Sequence, residues 1–169
     1  MQAHMRLILL TILGTICVNP PVYGQGTTDI EAYVQHQELS VSNYKVVPLL
    51  VEAVDSNNFG LTRDAVKTHA ELRVRSVGLK PVDAAGSSEH YLYVQIHVAG
   101  LAFNINMDFK RSAQWTMADG QKADGFAAVW RQGNITGTHG QNAKYVLDAL
   151  DQLLDHFLNA YLKANQDDK

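Results

Sequence analysis

The sequence predicts an α+β two-layer sandwich, a mostly antiparallel sheet of four to five strands with two helices on one face, in the order β-α-β-β-β-β-α. Three observations carry that expectation. Period-2 alternation runs through residues 91–110, an amphipathic helical pattern closes the chain over 142–164, and a shorter capped helical pattern begins at Thr62. The chain has 169 residues, 46% apolar and 18% charged, which suits one domain with a single core and argues against disorder.

The first elements read as follows. Lys45–Val54 (KVVPLLVEAV) is a β-branched apolar run and the first core strand, with Pro48 pointing to an edge or a strand start. Asp55-Ser56-Asn57-Asn58 is a turn cluster. Thr62 caps a helix with Asp64 in its first turn, and Leu61, Ala65, Val66, His69 and Leu72 approximate its apolar face. Gly78 suits the C-terminal cap and Pro81 prevents resumption, with room for a short strand near Leu79–Val82.

The clearest local signal follows. Leu92, Val94, Ile96 and Val98 alternate with Tyr91, Tyr93, Gln95 and His97, and Phe103, Ile105, Met107 and Phe109 alternate with Asn104, Asn106, Asp108 and Lys110. Gly100-Leu101 fits a two-residue type II′ turn, which pairs Ala99 with Ala102 and Leu92 with Phe109. A slip of one residue would set apolar against polar throughout, so this register is specified. Asp119-Gly120 suggests a second, type I′ hairpin between a strand holding Trp115 and a later one, Phe126–Arg131, holding Trp130. GNITGTHG (133–140) reads as a glycine-rich link to the last helix. That helix stripes Val146, Ala149, Leu150, Leu153, Phe157, Ala160, Tyr161 and Ala164 on one side, with Asp148, Asp151, Asp155 and Asn159 opposite.

The N-terminus is of another kind. Arg6 precedes LILLTILGTICV (7–18), then Pro20-Pro21 and a small residue at Gly24. This is the layout of a signal peptide over residues 1–24 with cleavage after Gly24, with an uncleaved N-terminal anchor as the alternative. Twelve residues span only about 18 Å as a helix, short of a hydrocarbon core of about 30 Å. Met5 offers a better start than Met1. Cys17, the single cysteine, follows Thr15-Ile16, which do not fit lipoprotein processing. Cleavage after Gly24 leaves a mature chain without a thiol, periplasmic or secreted, with no cysteine nucleophile, thiolate metal site or disulfide. Residues 25–43 form an arm, 44–165 the α+β domain and 166–169 a polar tail.

The chemistry is sparse. The net charge is −3 and the basic residues are scattered, which excludes a basic nucleic-acid footprint. His90 and His97 are seven residues apart, an odd spacing that sends them to opposite faces of a strand, so they cannot share a metal ion. His69, His139 and His156 lie on separate elements, and no H-E-x-x-H, G-x-S-x-G or phosphate-loop motif occurs. The expectation is a non-enzymatic chain with no catalytic, cofactor or metal residues, and a partner that is another envelope protein. Two candidate sites remain. Tyr91, Tyr93, Gln95, His97, Asn104, Asn106 and Asp108 share one sheet face, a neutral amphipathic surface of the kind protein partners use. Gly137, Gly140 and Asn142 precede a helix start where an anion could sit on exposed N–H groups. Asn134-Ile135-Thr136 is a glycosylation sequon, relevant only in a eukaryotic secretory pathway.

YLYVQIHV, a Trp-containing strand, TGTHG and YVLDALDQLLDHFLNAYLKAN together resemble a group of small exported bacterial proteins of unknown function. The resemblance covers roughly residues 45–165 and is most specific at Asp-x-Phe-x-Asn-x-Tyr-Leu-x-x-Asn, Asp155 to Asn165. It implies a bacterial, extracytoplasmic protein and carries over no catalytic residue. The layout is also similar, in topology alone, to envelope accessory domains such as the N-terminal domain of TolB. A competing expectation is a small ligand carrier or enzyme with a cleft between the arm and the sheet.

Overall fold

The computed structural model describes residues 38–84 and 88–166. Among these residues the fold is α+β, with two helices packed on a mixed sheet. In chain order it comprises β1 (Val46–Val51), α1 (Arg63–Ser76), β2 (Lys80–Asp83), β3 (His90–Ala99), β4 (Ala102–Thr116), β5 (Lys122–Thr138) and α2 (Ala143–Gln166). The strands lie side by side as β2-β1-β3-β4-β5.

The expected sheet was mostly antiparallel; two of its four pairings are parallel. β1 runs parallel to both β2 and β3, while β3-β4-β5 is an antiparallel meander. Val47, Leu49 and Val51 of β1 are buried on the helix side, while Val46 and Leu50 on the other side are half-buried. With β2 and β3 on either side, Pro48 is central and not at an edge. It lies one residue before the β1–β3 ladder begins at Leu49, where its missing N–H breaks no ladder bond.

The element order β-α-β-β-β-β-α holds, for a different reason than the sequence suggested. The Trp115 strand is the far end of β4, and the extra strand is the short β2. The β3–β4 hairpin has the anticipated register throughout, from Ala99 opposite Ala102 to Tyr91 opposite Lys110. Gly100 takes φ +61°, as the first position of a type II′ turn requires. The second hairpin turn differs. Only Gly120 of its pair has positive φ, and Gly120 N–H donates to Met117 C=O, a type I turn with a glycine bulge instead of a type I′ turn.

GNITGTHG is not a link. Ile135, Thr136, Gly137 and Thr138 continue β5 and pair with Ile105, Asn104, Phe103 and Ala102. Gly137 is there because a Cβ would lie 2.8 Å from the Phe103 ring. His139 then ends the strand: its Nε2 bonds Gly100 C=O at 3.0 Å, its Nδ1 accepts Gln141 N–H at 3.0 Å, and its ring stacks on Phe59.

Thr62 caps α1 through Ala65 N–H at 3.1 Å. Its buried stripe is Val66, Ala70 and Val74, strict i, i+4 spacing, so the expected Ala65 and Leu72 turn out exposed, Leu72 by 58%. α2 buries Val146, Ala149, Leu150, Leu153, Phe157, Tyr161 and Ala164 as its periodicity predicts, while Ala160 is only half-buried and Leu154 and Leu158 are buried as well. Phe157 packs against Phe109, Trp130 and Tyr161. Asp151 and Asp155 do not point to open solvent. They meet His69 at 2.9 Å and Arg73 across the groove between the helices, which places both helices on one side of the sheet.

The end of the arm is part of the core. Leu39 is buried at 1% exposure. Asn165 donates to Leu39 C=O at 2.9 Å and accepts Val41 N–H at 2.8 Å, Tyr161 Oη donates to Tyr44 C=O at 3.1 Å, and Arg111 donates to Glu38 C=O at 3.2 Å. Beyond Arg111 the β4–β5 hairpin leaves the sheet, because β3 pairs with β4 only as far as His90 opposite Arg111. Residues 112–116 and 122–126 form a two-stranded ribbon.

Candidate functional site

The seven face residues do share one side of the sheet, the side away from the helices. β3 supplies Tyr91, Tyr93, Gln95 and His97, and β4 supplies Asn104, Asn106 and Asp108, because their partners in register point the same way. Among the described residues no helix covers this side.

A continuous hydrogen-bonded chain orders it. Gln95 Nε2 donates to Glu52 Oε2 at 2.7 Å, Asn106 Nδ2 donates to Gln95 Oε1 at 3.4 Å and to Asn104 Oδ1 at 3.1 Å, and Asn104 Nδ2 donates to Thr136 Oγ1 at 3.0 Å. At one end Asp55 Oδ2 accepts Val98 N–H at 3.0 Å and bonds His97 Nδ1 at 3.2 Å. The Val98 amide, then His97, holds the Asp55 carboxyl below its usual range. At the other end Tyr93 bonds Glu52 and lies under Lys110 Nζ, 3.6 Å from the ring centre. Partial burial, then the Glu52 bond, pushes the Tyr93 phenol well above the ordinary range, so it stays neutral and donates. The same bond, joined by Gln95, lowers Glu52.

Asp108 is the exception within the set. It is buried at 7% exposure and bonded to Arg131 Nε at 2.8 Å, so it braces β4 against β5 and presents little surface. Tyr91 packs edge-on against Phe126 of the ribbon, with ring centres 4.9 Å apart.

Sequence reading found the members of this face but not their orienters. Glu52 and Asp55 come from the segment after β1, and Thr136 and Arg131 from β5, whose register is offset by two irregularities. A carboxylate directly after an apolar strand, as in Val51-Glu52, was the available signal.

The second candidate site is not assembled. Gly137 lies within the β4–β5 ladder, while Gly140 and Asn142 belong to the turn into α2. Asn142 caps that helix itself, its Oδ1 accepting Lys144 N–H at 2.9 Å. His90 and His97 lie on opposite faces, His90 half-buried beside Phe109 and His97 exposed. Among the described residues no group of three His, Cys, Asp or Glu is placed to hold a metal ion.

An open depression of about 430 Å³ lies between Ser56–Phe59 and the Val98–Gly100 turn. The described part of the arm packs Leu39 into the core, and the rest of it, where the expected cleft would lie, falls outside the described residues. No helix among the described residues is long and apolar enough to cross a membrane, and the signal-peptide segment lies outside them. No family model matches the chain, and neither a curated protein nor a solved structure matches it.

Proposed function

We propose that this is an exported bacterial envelope protein, a non-enzymatic binding or assembly accessory whose contact surface is the uncovered face of β3 and β4. The export reading rests on residues 1–24 of the sequence. One structural observation carries the rest: Tyr93, Gln95, Asn104 and Asn106 stand on an open sheet face, already held in place by Glu52, Thr136 and one another. Side chains fixed before binding lose little rotamer freedom on contact, and tyrosine and asparagine combine apolar area with hydrogen-bonding capacity.

A photoreactive residue placed at Asn106 or Gln95 in living cells tests the reading. Discrete adducts from these positions, absent when the same probe replaces Gln152 on α2, are expected. Adducts from Gln152 alone would move the contact to the helical side.

A further inference from the structure

The β4–β5 ribbon is an unfinished piece of structure. Its helix-side positions are Ala113 and Trp115 on one strand and Ala123, Gly125 and Ala127 on the other, with Met117 at the tip. The Trp115 indole lies against Gly125, where a Cβ would come within 2.6 Å of it, and Trp115 is 48% exposed. Met117 is 50% exposed. Both residues are exposed with α1 and α2 in place, and α2 ends at Gln166, one residue past the Asn165 that grips the arm. An isolated two-stranded ribbon is marginal in water and needs a third element against its apolar side.

The arm shows which element is available. Followed backwards from β1, it passes Tyr44 held by Tyr161, Val41 and Leu39 held by Asn165, and Glu38 held by Arg111. Arg111 is the helix-side residue at the foot of the ribbon, paired with Ala127. The chain before Glu38 therefore begins at the edge of the uncovered surface.

We propose that residues 25–37 of the same chain, which lie outside the described residues, are the cover, seating Ile30, Tyr33 and Val34 on Trp115 and the small residues beside it. The reach suffices. Arg111 to Met117 is six residues of strand, about 20 Å, and the eight residues from Ile30 to Glu38 span up to about 27 Å. The small side chains of Ala113, Ala123, Gly125 and Ala127 leave the depth that a crossing segment needs. Cleavage after Gly24 retains this segment. The cover is separate from the polar face, which lies on the other side of the sheet.

Acrylamide quenching of tryptophan fluorescence in the purified chain tests this, because Trp130 is buried at 3% exposure and Trp115 is the reporter. A Trp115→Phe variant isolates the Trp130 signal. The expected result is a shielded Trp115 in the wild type, and a red-shifted, freely quenched Trp115 when Ile30→Asp and Tyr33→Asp are combined, with Trp130 unchanged. Circular dichroism verifies the fold of the variant. Equal quenching of Trp115 in wild type and variant overturns the proposal. Shielding that disappears on dilution also overturns it, by assigning the cover to a second copy.

Discussion

Asn165 in the last turn of α2 holds both sides of Ser40, donating to the Leu39 carbonyl at 2.9 Å and accepting from the Val41 amide at 2.8 Å. One side chain thereby replaces the ladder bonds that the arm lacks, and it is buried at 7% exposure, out of reach of water. The closing Asp155–Asn165 motif consequently has a structural task. Asp155 joins the helices, Phe157 fills the core, and Tyr161 and Asn165 fasten the arm.

Asn165→Ala leaves a buried amide and carbonyl unpaired. The expected loss is about 1–3 kcal/mol for unsatisfied groups of this kind. Urea denaturation measures it, and limited proteolysis should find a new cut near Ser40. A variant as stable and as protected as the wild type would show that the arm is held by its apolar contacts alone.

Phe157→Ala should cost about 3–5 kcal/mol, since Phe157 is fully buried among Phe109, Trp130 and Tyr161. Asp155→Ala removes a partly exposed ion pair with Arg73 and should cost at most about 1 kcal/mol. Thermal unfolding of the two variants side by side distinguishes them, and equal midpoints would contradict the packing of α2 on the sheet.

Two glycines test close approach. Gly137→Ala drives a Cβ into the buried Phe103 ring and should cost about 1–3 kcal/mol. Gly125→Ala meets Trp115, whose exposed indole can swing aside, so its global stability should change little while tryptophan emission shifts. Differential scanning calorimetry with fluorescence checks the pair. The reverse ranking would mean that Trp115 is the more tightly held ring.

His90 supplies a pH dependence. Its Nε2 is buried without a partner, and desolvation, then the nearby Arg111 charge, lowers its pKa from 6.5. The unfolded chain therefore binds the proton more readily than the folded one. Stability is complete above about pH 6.5 and falls as pH drops through that value towards the folded pKa. Urea midpoints at pH 7.5 and 5.5 should differ more for the wild type than for His90→Phe. An unchanged difference would remove His90 from the acid response.

The parts legible in the sequence are those that depend on near neighbours. The β3–β4 register was readable because Leu92-Val94-Ile96 and Phe103-Ile105-Met107 must share one face across a two-residue turn. Membership of the polar face followed from the same alternation. The position of β1 between β2 and β3 depends on contacts between distant segments, and an apolar run does not state its neighbours. Gly137 read as loop because the Phe103 ring that excludes a side chain there is 34 residues away in the chain. In α1 the single Val66-Ala70-Val74 row lay beneath a broader scatter of apolar residues, and Leu72 misled the reading. Glu52 and Asp55 were invisible as orienters because parallel pairing alone brings them beside Gln95 and His97.

The central claim, that the open β3–β4 face is the contact surface, is tested most directly by pull-down from envelope extract with the purified wild type and three variants. Tyr93→Glu sets a carboxylate beside Glu52, Asn104→Lys puts a charge further along the same face, and Leu72→Glu alters an exposed position on the helical side. All three should remain folded by circular dichroism. The account predicts a partner retained by the wild type and Leu72→Glu and lost by both face variants. Identical partners in all forms, or loss with Leu72→Glu alone, would contradict it.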